Sequence, residues 1–117
     1  ALEMALKRNH EAVARYLLDK GADFDEGILF RYAAQEGSNL NIIFTLAEKL
    51  DKIEVDDTMW STLGCVCLKY DENPDQCKKV MKLLIKKGDR LTPKDLQLQI
   101  SGKAKQFIDD QIELIVK

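Results

Sequence analysis

The chain has 117 residues, of which 45% are hydrophobic and 32% charged, with a net charge of -2. That is material for one small folded domain or a piece of one, without bulk charge to draw it to nucleic acid or an anionic membrane. No apolar run reaches the length of a membrane span, no signal-peptide pattern is present, and three cysteines, Cys65, Cys67 and Cys77, are too few for a stapled secreted scaffold, so a reducing, cytoplasmic setting is expected.

Helical periodicity dominates from the start. Leu2, Met4, Ala5 and Leu6, then Val13, Ala14, Tyr16, Leu17 and Leu18, predict two short amphipathic helices broken at Asn9 and His10. Gly21 stands where a left-handed C-terminal cap is needed and Lys20 suits the negative end of the helix dipole, so the second helix stops near Lys20. "RYAAQEG" carries the small pair Ala33 and Ala34 in a third helix. "NLNIIFTLAEK" from Asn39 makes a fourth, with Leu50 in place of the expected capping glycine, where a left-handed conformation would be costly. "KIEVDD" at residues 52–57 reads as an acidic loop rather than a strand.

Ser61 is an N-cap for a helix opening on "STL". Residues 69–76 read as a polar loop because they contain Pro74, with Asp75 capping a helix over residues 76–87. Thr92, Pro93 and Asp95 supply the cap, first position and first turn of a short helix over residues 93–100. Ser101 and Gly102 break it, and Ala104, Phe107, Ile108, Ile112, Leu114, Ile115 and Val116 give a last helix its apolar residues.

Short helix pairs cannot bury their faces alone, which makes internal repeats the next thing to seek. "LLDKG" at residues 17–21 recurs as "LAEKL" at 46–50 and "LIKKG" at 84–88, and Gly21 and Gly88 lie 67 residues apart, about two periods of 33. Ala34 and Cys67, each ending a small pair, are separated by 33 residues, whereas Ala5 and Ala33 are separated by only 28. With "ALEMAL", "NH" and "LLDKGADFD", residues 1–25 resemble an ankyrin repeat from its first helix to its Gly-Ala-Asp ending. The resemblance implies an all-α ankyrin-repeat solenoid of about four helix-turn-helix units with short finger loops: a repeat at 1–25, degenerate repeats at 26–57 and 58–90, the latter with an insertion between its helices, and a capping helix pair at 91–117. Ala1 falls inside the first helix of a repeat, so additional repeats or a domain are expected N-terminal to it, and Leu2, Met4 and Leu6 are expected to include apolar surface that such a neighbour covers. In ankyrin repeats the residue matching His10 hydrogen-bonds between neighbouring units, which implies a turn or capping role for it.

Catalysis is not expected within these residues. His10 and the cysteines belong to different units, and the adjacent pairs Asp56 and Asp57, and Asp109 and Asp110, do not converge on a substrate. No phosphate-binding glycine loop is present, and Cys-x-Cys on a helix with one remote His is a poor metal site, so no cofactor or metal is expected; the thiols read as small buried hydrophobes or surface groups. Function then falls to the surface. By resemblance, the concave face and finger tips bind a folded protein partner, and the positions that match are Lys7, Arg8, Asp23, Asp25, Gln35, Glu36, Met59, Trp60, Leu68 and Lys69. Trp60, the only tryptophan, either anchors an interface or packs under the preceding finger. Glu48, Asp51, Glu54, Asp56 and Asp57 make the second finger acidic and able to steer a basic partner, while Lys78, Lys79, Lys82, Lys86, Lys87 and Arg90 make the following outer helix basic. Two other readings stand beside partner binding: a substrate-recruiting module of a larger enzyme, similar to the degenerate ankyrin modules of some bacterial type III secretion effectors that modify host caspases in the host cytosol, and a structural spacer in a longer array.

Overall fold

Helix ends in this chain are set by residues that either supply a cap or tolerate a left-handed backbone. The computed structural model describes residues 2–116, with side chains described as far as Ile115, so the side chain of Val116 and the reading of Ala1 lie outside the described residues. α1 (Leu2–Lys7) ends at Asn9, whose φ of 54° lets its N–H donate to Leu6 O at 3.0 Å and the His10 N–H donate to Ala5 O at 2.8 Å. That paired closure needs a left-handed residue, and asparagine is among the few side chains that accept one. α2 (Glu11–Asp19) and α6 (Pro74–Lys86) close the same way on Gly21 (φ 83°) and Gly88 (φ 105°).

Three of the starts are capped by side chains. Asp25 accepts from the Ile28 N–H at 3.1 Å to open α3 (Glu26–Ala34), Asn39 accepts from Asn41 N and Ile42 N to open α4 (Leu40–Lys49), and Ser61 Oγ accepts from Gly64 N to open α5 (Thr62–Cys67). α7 (Gly102–Val116) is the last described helix. Among the described residues there is no strand, and no helix is long and apolar enough to cross a membrane.

The helices form two packed layers. α1 lies beside α3 and α3 beside α5; α4 packs on α6 and α6 on α7; α1 with α2, α3 with α4, and α5 with α6 form the pairs. Polar links tie one pair to the next at recurring separations. Residues 28 apart are joined by Asn9 Nδ2 to Gly37 O (3.0 Å), Arg31 to Glu3 (3.2 Å), Asn39 Nδ2 to Glu11 (3.1 Å) and Glu54 N to Glu26 (2.8 Å). Residues 33 apart are joined by Arg90 to Asp57 (2.9 Å) and Thr92 Oγ1 to Met59 O (2.6 Å).

α5 is buried along its whole length, so its orphan N-terminal amides cannot turn to water. Two carboxylates from beyond α6 meet that need. Asp95, with no exposed surface, accepts from Ser61 N (2.9 Å), Ser61 Oγ (2.6 Å) and Thr92 N (2.8 Å), while Asp89 accepts from Leu63 N at 2.9 Å. The Asp95 N–H donates back to Thr92 Oγ1 at 3.3 Å, a reciprocal cap on its own turn. Gly64 belongs to this arrangement: a Cβ there would overlap the Asp95 carboxylate, which accounts for a residue that costs about 1 kcal/mol of helix propensity relative to alanine.

Several local expectations are corrected. Residues 93–100 do not form a helix; a single 3-10 turn, Asp95–Gln97, stands there because the Asp95 side chain is drawn inward to Ser61. α6 begins at Pro74, which occupies the first helical position rather than a loop, and Asn73 precedes it without a side-chain cap, so Asp75 lies in the first turn instead of capping. Leu50 is extended (φ -87°), not left-handed, and the Lys87 ammonium donates to Leu50 O and Glu48 O at the end of α4. His10 makes no capping hydrogen bond; the link between units comes from Asn9, whose Oδ1 accepts from Tyr32 Oη at 2.8 Å while Tyr32 Oη accepts from Asn39 N. Leu2 and Leu6 are buried, leaving Met4 as the exposed apolar residue of α1.

Replacing Asp95 with alanine strands buried donors at Ser61 and Thr92, and is predicted to lower unfolding free energy by about 3 kcal/mol, against about 1–2 kcal/mol for Asp95→Asn, which keeps one acceptor. Urea midpoints measure both, and an Asp95→Ala midpoint close to wild type would remove the network from the account.

Candidate functional site

The layer of α1, α3 and α5 carries three adjoining grooves. One of about 410 Å³ lies between α1 and α3 and is lined by Glu3, Leu6, Lys7, Phe30, Arg31 and Gln35 among others. A second, of about 280 Å³ between α3 and α5, is lined by Phe30, Ala33, Ala34, Gln35, Glu36, Trp60, Cys65, Leu68, Lys69 and Leu98. A third, of about 400 Å³, runs under the loop before α5 and includes Glu26, Phe30, Ile53, Glu54, Met59, Trp60 and Asp89. Phe30 lines all three, which makes the half-buried ring the centre of the face.

The small residues explain the groove between α3 and α5. Ala33 and Ala34 on one side and Cys65 on the other leave room that larger side chains would fill, so the surface sinks between the two helices. Trp60 is 38% exposed at its rim, with the Lys94 ammonium 4.5 Å from the ring centroid. The indole thus packs against a cation while part of it stays open to solvent.

Of the residues named from sequence, Gln35, Glu36, Trp60, Leu68 and Lys69 come together in the groove between α3 and α5. Gln35 is partly engaged, donating to Leu6 O at 3.1 Å. Lys7 shares the first groove with Gln35, and Met59 shares the third with Trp60. Arg8 instead lines a separate shallow cleft with Met4, Ala5, His10 and Val13. Asp23 and Asp25 are exposed on the loop before α3, outside these three grooves, where the Asp25 side chain caps α3. Phe30, Arg31 and Leu98 were not singled out by sequence. Phe30 sits in "GILFRYAA", where apolar residues surround the helix and no periodic gap marks the side left open to solvent.

Electrostatically the face is mixed. The acidic loop before α5 is partly neutralised, Asp57 by Arg90 at 2.9 Å and Glu54 by Lys52 at 3.5 Å. Hydrogen bonds from the Thr58 hydroxyl and N–H hold the Asp56 carboxyl below its ordinary range. All three cysteines are buried, and burial pushes Cys65 and Cys77 up to about 11 and Cys67 up to about 12. Thiols so disfavoured as thiolates are poor nucleophiles and poor metal ligands at neutral pH. Among the described residues no cluster of three or more His, Cys, Asp or Glu is arranged to hold a metal ion.

No family model matches the chain, no curated protein matches it, and no solved structure matches it.

Asp89, on the wall of the third groove, has a carboxyl pushed up to about 7, chiefly by burial, with Asp95 and Glu26 adding repulsion against the favourable bonds from Leu63 N and Arg90 N. The folded chain therefore holds a proton between about pH 4 and pH 7 that the unfolded chain has released, so this contribution to stability is present below that window and is lost as pH rises through it. Relative to Asp89→Asn, which cannot titrate, wild type is expected to lose up to a few kcal/mol between pH 4 and pH 8 in urea titrations. A difference that stays constant across the window would contradict the burial of the Asp89 carboxyl in this wall.

Proposed function

We propose that the chain is a degenerate ankyrin-type array of helix pairs, and that it binds a folded protein through the face formed by α1, α3 and α5 and the loop preceding α5. The observation that carries the reading is the convergence of Gln35, Glu36, Trp60, Leu68 and Lys69 on one groove centred on Phe30. Those side chains come from two successive units, as binding by a stacked array requires. The pair-to-pair links at separations of 28 and 33 residues support the repeat reading, since they coincide with the spacings of the small residues in the sequence.

The chemistry of the face favours recognition over catalysis. It offers an aromatic pair, Phe30 and Trp60, an exposed Leu68, and charges of both signs at Glu36 and Lys69, the composition of an interface with an apolar centre and polar rim. The thiol in this groove, Cys65, is buried and pushed up to about 11.

Affinity capture from lysate with quantitative recovery of each partner tests the assignment. Trp60→Ala and Leu68→Glu alter exposed side chains and are expected to leave the fold intact while cutting recovery of the specific partner about tenfold or more. Equal recovery by wild type and both folded variants would refute this face as the binding surface.

A further inference from the structure

The second helical layer carries a groove whose lining shares no residue with the α1, α3 and α5 face. Lys79, Lys82 and Lys86 follow one another at intervals of three and four on α6, so their ammonium groups form a row of about 10 Å along one side of the helix. Beside the row runs a groove of about 460 Å³ whose apolar walls include Phe44 from α4, Leu83 from α6 and Ile115 from α7. Ile115 is 63% exposed, and the Lys79 ammonium lies 4.8 Å from the centroid of the Phe44 ring.

Two neighbouring cations are engaged elsewhere. Lys87 bonds the last carbonyls of α4, and Arg90 pairs with Asp57. Among the described residues none of Lys79, Lys82 and Lys86 is in an ion pair. A chain with a net charge of -2 therefore presents a local strip of three unpaired positive charges along an apolar groove.

We infer that this groove receives an acidic amphipathic helix of a partner protein, its apolar stripe seated on Phe44, Leu83 and Ile115 and its carboxylates, one turn apart, facing Lys79, Lys82 and Lys86. A helix laid in a groove buries a continuous apolar stripe, and the lysine stems extend that stripe while their ammonium groups stay at the rim. A concave groove fits a helix better than a flat bilayer.

The test is fluorescence anisotropy with a labelled synthetic helix of about five turns, leucine on one stripe and glutamate flanking it, beside the same peptide with lysine replacing glutamate, and with phosphatidylserine vesicles as a third arm. The glutamate peptide is expected to bind with an affinity that falls as salt is raised, and to lose about tenfold on the double change Lys82→Glu and Lys86→Glu. Ile115→Ser is expected to weaken it as well, whereas Trp60→Ala leaves it unchanged, which keeps this surface distinguishable from the one proposed above. No binding of the glutamate peptide, equal binding of the lysine peptide, indifference to the charge reversal in a variant with wild-type thermal stability, or capture of the vesicles in preference to the peptide would each overturn the inference.

Discussion

The structure depends on how the N-terminus of α5 is satisfied. Six residues make too short a helix to stand alone, and every one of them is buried. Burial supplies packing energy and at the same time removes water from amides that have no intrahelical partner. Ser61 Oγ takes one of those amides, Asp89 another, and Asp95 anchors Ser61 itself through both its N–H and its hydroxyl. The segment after α6 is thus fixed to the start of α5, and a side chain that reads as part of a local helix start instead closes a tertiary joint.

That joint sets the geometry of the surface. The loop carrying Met59 and Trp60 leads directly into Ser61, and Thr92 Oγ1 donates to Met59 O, so the network that caps α5 also fixes the loop that rims the grooves. At the other end, Asn9, Tyr32 and Asn39 make a comparable polar joint between the first two helix pairs, through Tyr32 Oη as donor to one and acceptor from the other. Between these joints lie α3 and its small residues, Ala33 and Ala34, whose size permits the depression centred on Phe30. Polar groups of limited number thereby place an apolar face that the packing alone would leave free to slide.

Much of this was legible in the sequence, because helix ends answer to local chemistry. Gly21, Gly88 and the cap Ser61 each act within a few residues, and the structure places them at the helix ends their types suggest. The failures occur where a distant partner overrides the local signal. Thr92, Pro93 and Asp95 make a good helix start until Asp95 engages Ser61, 34 residues away. Leu50 lacks the glycine of a left-handed closure and needs none, because Lys87 reaches the end of α4 from 37 residues away. Phe30 was invisible for another reason: in an element apolar on several sides, pattern cannot say which side the neighbours leave uncovered.

The central claim is that buried carboxylates hold the start of α5, and amide hydrogen exchange addresses it most directly. The N–H groups of Ser61 and Thr92 lie outside any helix, where backbone amides ordinarily exchange freely, yet both donate to Asp95 in the interior. If the network is as described, these two amides exchange as slowly as the core amides of α6. If they exchange at the rates of the exposed residues Asp51 and Lys52, the start of α5 is held in some other way and the account fails.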